Sequence, residues 1–424
     1  MAEKKKMSFA DLAKSLKESA DASLGYISKG DTITVIPTGS IVLDKLSGKG
    51  GIPVGRITQI ASEPGIGKST SALTIAASCQ KLGGKVLYMD FEQSLTAEYI
   101  EKMGCVLDNA TMIFLQPTDI ETAWEIIIKV SSMDVNLVVL DSLASMFPRL
   151  SDEDFGDLHT SIGHQSKGLG LFIPRLKILA RVENFAVLMI NQVRAKIEMG
   201  FMAKFQKSPA YAKELPGGFA PKFYTDLLFY LSLKKTERNT DKVYTGNEIT
   251  VTTWKNKIGV PFLNRTMYLQ FGTGIDDFRS VVDTSIELGV ITYNAHGGLW
   301  SLVSSGDYPG VASGDVILSG RGRDSISEQL AANGTAYTYV RNKVIAVDFI
   351  TESLDTEEAS AIKRLLDSDN PSALPDDSAE IPPPAMSHPG LPRFLTVPVD
   401  GSEADPEDDQ DLVLPAKRGR PKKG

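Results

Sequence analysis

Cysteine, histidine and long apolar runs are what this sequence lacks most. Only two cysteines and four histidines occur in 424 residues. Cys79 and Cys105 share no short pairing or metal-ligand spacing, which argues against a disulfide framework or a zinc site and leaves both as core residues. His164, His296 and His388 show no ligand spacing either. No apolar run approaches the ~20 residues that span a bilayer, and the basic start, MAEKKKMSFADLAKSL, lacks the uninterrupted apolar stretch of a signal peptide. The expectation is a cytoplasmic protein with no membrane partner. The net charge of −8 argues weakly against a generic nucleic-acid binder, but that sum hides an uneven distribution.

The length suits one large domain with smaller attachments. From about Asp367 the composition changes: half of the 22 prolines lie beyond it, and to Asp411 acids far outnumber the single base, Arg393. Such a stretch buries too little apolar surface to offset chain entropy, so residues 367–424 are expected to be a disordered acidic tail. Upstream, the apolar runs GRITQIAS, GKVLYMD, NLVVLDS and FAVLMINQ alternate with helical patterns such as STSALTIAASCQKL and GLFIPRLKILARV. Buried strands alternating with helices predict an α/β core, a mainly parallel sheet covered on both faces. Three further runs, DLLFYLSLKK, NEITVTTWKN and NRTMYLQFG, suit an antiparallel extension of that sheet. Four regions follow: an N-terminal segment (1–35), the α/β core (36–272), a small C-terminal domain (273–366) and the tail.

The stretch SEPGIGKST (Ser62, Glu63, Pro64, Gly65, Ile66, Gly67, Lys68, Ser69, Thr70) follows a strand pattern and opens a helix. Glycines there let backbone N–H groups close around phosphate; Lys68 reaches the β- and γ-phosphates and Ser69 offers a hydroxyl to Mg²⁺. Ser62 replaces the usual first glycine, yet the strand-to-helix context restores the reading, since a helix N-terminus favours anions. The ligands implied are ATP and Mg²⁺. Asp141 ends NLVVLD and suits the magnesium shell, with Asp90 as a competitor at the end of KVLYMD. Glu92 is offset to act as general base on an attacking water. Any one strand-end acid could equally be a cap; three beside a P-loop favour catalysis.

These residues resemble the RecA-type recombinases, bacteriophage members included. PTGSIVLDKLSGKGGIPVGRITQIASEPGIGKST looks like that family's entry into its ATPase core, MDFEQSLTAEYIEKMG like its catalytic-glutamate segment, and VNLVVLDSLAS like its Walker B strand. MINQVRAKI, PGGFAPKFY and WKNKIGVPF are similar in order and spacing, and the resemblance covers roughly residues 30 to 275. It implies that Glu92 is the catalytic carboxylate, that Tyr99 stacks near adenine and that Gln192 senses the γ-phosphate. It also implies that Lys255 and Lys257 reach the ATP of a neighbouring subunit; without it, both would read as solvated lysines on a sheet edge. The P-loop wording itself resembles RadA-type helicases, although no cysteine cluster precedes it.

Between AVLMINQ and GGFAPKFY lies a stretch of about 25 residues without periodicity, long for a loop inside a compact domain. It interleaves Arg194, Lys196, Lys204, Lys207 and Lys213 with Phe201, Phe205 and Tyr211, a mixture that neutralises phosphates and offers faces to bases. By resemblance, the earlier loop FPRLSDEDFGDLHTSIGHQSKG is a first DNA loop, with His159 near the strand and Lys167 on a phosphate. FADLAKSLKESA has the spacing of a short amphipathic helix, which in the family packs on the adjacent subunit. RGRP near the end resembles an AT-hook, its Arg418 and Arg420 fitting an A·T minor groove; a generic basic tail is the equal alternative. The acidic stretch ahead of it would compete with DNA for the basic loops.

The sequence therefore predicts an ATP- and Mg²⁺-dependent strand-exchange recombinase, a DNA-dependent ATPase that forms helical homo-oligomeric filaments on single-stranded DNA and pairs it with double-stranded DNA. Single-strand-binding and mediator proteins are expected partners, and a phage-encoded chain would act in the bacterial host cytoplasm. The alternatives are a RadA-like hexameric helicase and a nucleotide-gated DNA-binding accessory protein. A small-molecule kinase ranks last, because no substrate lid is recognisable.

Overall fold

A computed structural model describes residues 32–149, 158–195, 213–294 and 297–347. At the start, β1 (Val35–Ile36) pairs antiparallel with β2 (Ile52–Pro53), and α1 (Ile41–Ser47) lies between them. Strands and helices then alternate: β3 (Ile57–Ser62), α2 (Lys68–Lys81), β4 (Val86–Asp90), α3 (Ala97–Lys102), β5 (Met112–Leu115), α4 (Ile120–Ser131), β6 (Leu137–Asp141), α5 (Leu158–Val182) and β7 (Ala186–Gln192). A short pair, β8 (Arg194–Ala195) with β9 (Lys213–Glu214), precedes α6 (Phe219–Tyr224). The chain continues through β10 (Leu227–Arg238), β11 (Tyr244–Asn256), β12 (Asn264–Gln270) and β13 (Gly274–Ile275). Last come α7 (Asp277–Glu287), β14 (Ile291–Asn294), β15 (Leu299–Val303), β16 (Val316–Gly320), α8 (Arg323–Ala332) and α9 (Gly334–Ala346).

Nine strands form one sheet in the order β13-β12-β11-β10-β3-β7-β6-β4-β5. From β10 to β5 every pairing is parallel, while β10 through β13 pair antiparallel, as the composition of the three later runs led us to expect. All residues of β3, β4 and β6 are buried, because helices cover both faces. Ile60, Tyr88, Val139 and Leu188 join the apolar layer that includes α1 and α2; Ile57, Met89, Val138 and Met189 join the other, with α4 and α5. Cys79 and Cys105 are buried free thiols, and burial pushes both up to about 12. Among the described residues, no helix is long and apolar enough to cross a membrane.

Two expectations about boundaries change. The segment HTSIGHQSKG belongs to α5 rather than to a loop, so His159 sits in its first turn and Lys167 on its exposed surface. Past residue 272, β13 still pairs with β12, and Val281, Leu302, Ile326, Leu330 and Val340 share one apolar cluster with Leu43 and Met267. The amphipathic pattern within residues 1–31 and the acidic tail lie outside the described residues.

Besides its apolar face, a polar network fastens α9 to the core. Arg341 Nη1 donates to Asp277 Oδ2 at 2.8 Å and Nη2 donates to Asp44. Tyr337 donates to the same Asp277 oxygen. Backbone N–H groups complete the set: Thr38 to Asp44 Oδ1 at 2.7 Å, and Ile41 to Asp277 Oδ1 at 2.6 Å. Burial raises the Asp44 carboxyl to about 6, although Arg341 opposes the shift. One arginine thus serves two buried carboxylates, and removing it leaves both uncompensated. We expect Arg341→Met to cost about 3–5 kcal/mol at pH 7.5. The cost should be visibly smaller at pH 5, since a carboxyl with a raised folded-state pKa contributes stability that is present below its unfolded value and lost as pH rises through the folded value. Urea unfolding at the two pH values measures this, and an equal loss at both would contradict it.

Candidate functional site

The phosphate cradle is built where β3 ends and α2 begins. Gly65 and Gly67 take positive φ of 76° and 98°, a conformation that favours glycine. A Cβ on Gly67 would also lie 2.3 Å from Leu269 Cδ1. Lys68 is buried, and its Nζ donates to Glu63 O at 3.0 Å and to Ser62 Oγ at 3.3 Å. Ser62, the departure from the usual glycine, turns its hydroxyl to Glu63 O at 2.6 Å, so the loop absorbs the side chain in a bond of its own. Burial lowers the Lys68 ammonium from its ordinary value, while Glu92 and Asp141 pull it back.

The acids stand at the ends of adjacent parallel strands, with Asp90 in register with Asp141. Asp141 Oδ2 accepts from Tyr88 Oη at 2.7 Å, and the nearby Ser69 hydroxyl also favours its ionised form. Burial raises Asp141 to about 6 against those hydrogen bonds. Asp90 is occupied differently. Its Oδ1 accepts from the Glu92 and Gln93 N–H groups at 3.0 and 2.9 Å, and its Oδ2 from Ser94 and Leu95 at 3.0 and 3.1 Å. Asp90 is therefore the organiser of the 91–95 turn, and Asp141 is left as the better magnesium candidate. Glu92 Oε1 accepts from Gln192 Nε2 at 2.9 Å and from Ser142 Oγ at 2.5 Å.

Magnesium fits this donor set: a hydroxyl and a nearby carboxylate offer two hard oxygens, with the rest of the shell left to phosphate and water. No group of three or more His, Cys, Asp or Glu among the described residues forms an all-protein metal cage. The cleft beside the cradle has a volume of about 400 Å³, within the range of small-ligand sites. Tyr99 lines it, held by a 2.6 Å hydrogen bond between its hydroxyl and Thr70 Oγ1, and so does the β12–β13 turn through Gln270, Phe271 and Gly272. The structure thus brings together Gly65, Gly67, Lys68, Ser69, Thr70, Glu92, Tyr99 and Gln192 around one cleft.

Lys255 and Lys257 are elsewhere. Leu227 pairs both with Thr58, near the start of β3, and with Asn256, the last residue of β11. The cradle begins at the far end of β3, and six residues at ~3.3 Å each put the lysines roughly 15–20 Å from it along the sheet. Lys255 lies within β11, between β10 and β12, whereas Lys257, one residue past the end of that strand, is exposed. Lys255 Nζ donates to the carbonyls of Lys222 and Phe223 at 2.7 and 2.9 Å, at the end of α6. Lys257 Nζ is 3.4 Å from Asp226. Burial lowers the Lys255 ammonium, and Lys257 adds to that.

The expected long loop opens directly after Gln192. Arg194 pairs with Glu214 and Ala195 with Lys213, which makes β8–β9 its stem. The stem is fastened below: Val193 N donates to Ser62 O at 2.9 Å, and Asn191 Nδ2 to Pro216 O at 3.1 Å. Lys196, Phe201, Lys204, Phe205, Lys207 and Tyr211 lie outside the described residues, as do Arg418 and Arg420. Sequence reasoning missed Ser142, Tyr88, Asn191, Lys177 and Asp226. Ser142 was findable as the neighbour of Asp141; the others act through long-range contacts that no local pattern announces.

This fold and site define a P-loop nucleotide-binding protein with an acid-lined γ-phosphate end. Residues 4–276 match the RecA N-terminal domain. The chain is 32% identical over 330 residues to Protein RecA of Aquifex pyrophilus, covering 77% of this chain and 86% of that one. It is 30% identical over 341 residues to a Protein RecA of Thermus thermophilus, covering 79% and 91%, and 31% identical over 358 residues to that of Psychrobacter cryohalolentis, covering 83% and 97%. The chain belongs to the RecA family, and its function is that of an ATP-dependent DNA recombinase and repair protein.

Asp90 and Asp141 can be told apart by experiment. Asp90→Ala frees four N–H groups and the turn carrying Glu92, so hydrolysis should fall about tenfold or more, since a positioned base contributes ~10²–10⁴. Affinity for a fluorescent ATP analogue with Mg²⁺ should hardly change, whereas Asp141→Ala should weaken it strongly. The reverse pattern would make Asp90 the metal ligand.

Proposed function

We propose that this protein is a strand-exchange recombinase that assembles head to tail on single-stranded DNA, pairs it with a homologous duplex, and hydrolyses ATP to ADP and phosphate between subunits. The observation that carries the reading is the hydrogen bond from Gln192 to Glu92, on a strand whose next residue opens the basic and aromatic loop. Glu92 Oε1 is held by Gln192 and Ser142, which leaves Oε2 to take a proton from an attacking water. When the γ-phosphate draws Gln192 away, the same movement pulls on the stem at Arg194, so that nucleotide state and loop order change together. Lys68 and the cradle N–H groups neutralise the phosphates, Tyr99 stacks on adenine, and Ser69 with Asp141 hold Mg²⁺, which when bound neutralises charge on the β- and γ-oxygens.

Lys255 and Lys257 stand at the end of the sheet away from the cradle of their own chain, so only another copy can bring them to a γ-phosphate. Repeating that contact is a heterologous assembly, which propagates as a helix when its rotation does not close. The loop side chains from Arg194 to Lys213, with His159 and Lys167 on α5, hold backbone and bases of the single strand. Residues 1–35 belong to the subunit contact, and Arg418 and Arg420 attract duplex. Single-strand-binding and mediator proteins act on the same filament. A bacteriophage origin, with action in the bacterial host cytoplasm, is part of the same reading and rests on the resemblance to that family's phage members alone.

Mixing two inactive variants tests the assembly. Glu92→Gln lacks the base but keeps the lysines, and Lys255→Ala/Lys257→Ala keeps the base. In an equal mixture roughly a quarter of interfaces unite an intact cradle with intact lysines, so DNA-dependent ATP hydrolysis and strand exchange should return to about that fraction. No recovery would place base and lysines in one chain's site.

A further inference from the structure

Two lysines contact one carboxylate, with a third lysine nearby, at the end of the sheet away from the cradle. Asp226 is 3% exposed and precedes β10. Lys177, from α5, donates to Asp226 Oδ1 and Oδ2 at 2.8 and 2.7 Å and to Tyr224 O at 2.9 Å. Ile57 N donates to Oδ2 at 3.3 Å. Lys257 approaches Oδ1 only to 3.4 Å, and its side chain is 46% exposed against 28% for Lys177. Lys255 is bonded to the α6 carbonyls beside them. The two partners of Asp226 are therefore unequal: one is fixed by three short hydrogen bonds, the other is loosely placed and open to solvent.

We propose that Asp226 is a positioning residue for ATP hydrolysis, holding Lys257 at rest and releasing it to the neighbouring subunit's phosphate, with Lys177 as the resident counter-ion that keeps the energetic cost of release low. This rests on the reading that Lys257 acts in trans. If Lys257 were the only cation on Asp226, its departure would strand a buried carboxylate, which is costly. With Lys177 bonded to both oxygens, Asp226 stays compensated after Lys257 leaves. The backbone reinforces the arrangement, since Lys257 N donates to Asp226 O at 2.9 Å and fixes the root of that side chain. Because Tyr224 ends α6, the same lysine cluster grips the helix that follows the DNA loop, so loop ordering and lysine release share one anchor.

Two substitutions should act in opposite directions. Asp226→Asn removes the rest position, so hydrolysis in the absence of DNA should rise several-fold, through kcat, with KM for ATP within about twofold. Lys177→Met leaves Lys257 as the sole counter-ion of Asp226, so DNA-stimulated kcat should fall several-fold; Lys177→Arg, which keeps the charge, should restore most of it. A merely structural role would move both rates downward with the melting temperature, and that outcome, or no change in either, overturns the proposal. Should Asp226→Asn fail to fold, the Lys177→Met loss and its rescue by Lys177→Arg decide alone. Lys257→Ala separates the layers: full activity in that variant refutes the trans lysine itself, whereas its inactivity together with same-direction shifts refutes only the role of Asp226.

Discussion

Six parallel strands, from β10 to β5, all point their carboxyl ends the same way, and the placement of every group discussed above follows from that one direction. A parallel strand hands its last residue to a loop on one edge of the sheet. Ser62, Asp90, Asp141 and Gln192 are the last residues of β3, β4, β6 and β7, so the start of the cradle, a turn-organising acid, a metal-suited acid and the amide that meets Glu92 converge with no other device. The antiparallel extension does the reverse. β11 runs back along β10 and delivers Lys255 and Lys257 to the opposite edge. One chain therefore holds the cradle and the strand-end acids at one end of the sheet and the two lysines at the other, and the proposed hydrolysis between subunits rests on that separation.

Burial makes that division effective. β3, β4 and β6 are covered on both faces, so their ends are fixed by packing rather than by the loops they carry. On this rigid base small hydrogen-bonding differences decide roles. Asp90 and Asp141 have the same side chain and lie in register, yet four backbone N–H groups take up the first, while a tyrosine hydroxyl donates to the second with a serine hydroxyl nearby. Gln192 touches Glu92 one residue before the strand turns into the loop stem. In the proposed mechanism a shift of that one amide would reach both Glu92 and the stem of the loop, and so would link nucleotide state to DNA affinity.

Much of this was legible in the sequence because the signals are local. Alternating apolar runs gave the parallel core, and SEPGIGKST with its strand and helix context gave the cradle. The offset of Glu92 from its strand suggested a base, and the structure brings it to the cleft beside the cradle; the proposed neighbouring-subunit role of Lys255 and Lys257 comes from resemblance alone. What was not legible depends on contacts between distant segments. Nothing near Asp226 announces that Lys177 will cross from α5 to meet it, and nothing near Arg341 announces Asp44, 0% exposed and nearly the whole described chain away. Asp90 and Asp141 could not be ranked from strand ends, because the difference lies in which N–H groups the following turn presents. The helical start of α5 was hidden by Gly163 and Gly168, residues that read as loop but that the packed helix accommodates.

The most direct measurement is a cryo-electron microscopy map of the protein on single-stranded DNA with Mg²⁺ and a slowly hydrolysed ATP analogue. The account predicts open helical filaments in which Lys255 and Lys257 of one subunit lie against the γ-phosphate held by Lys68, Ser69 and Asp141 of the next. Closed rings, or filaments whose lysines stay away from every nucleotide, would contradict it.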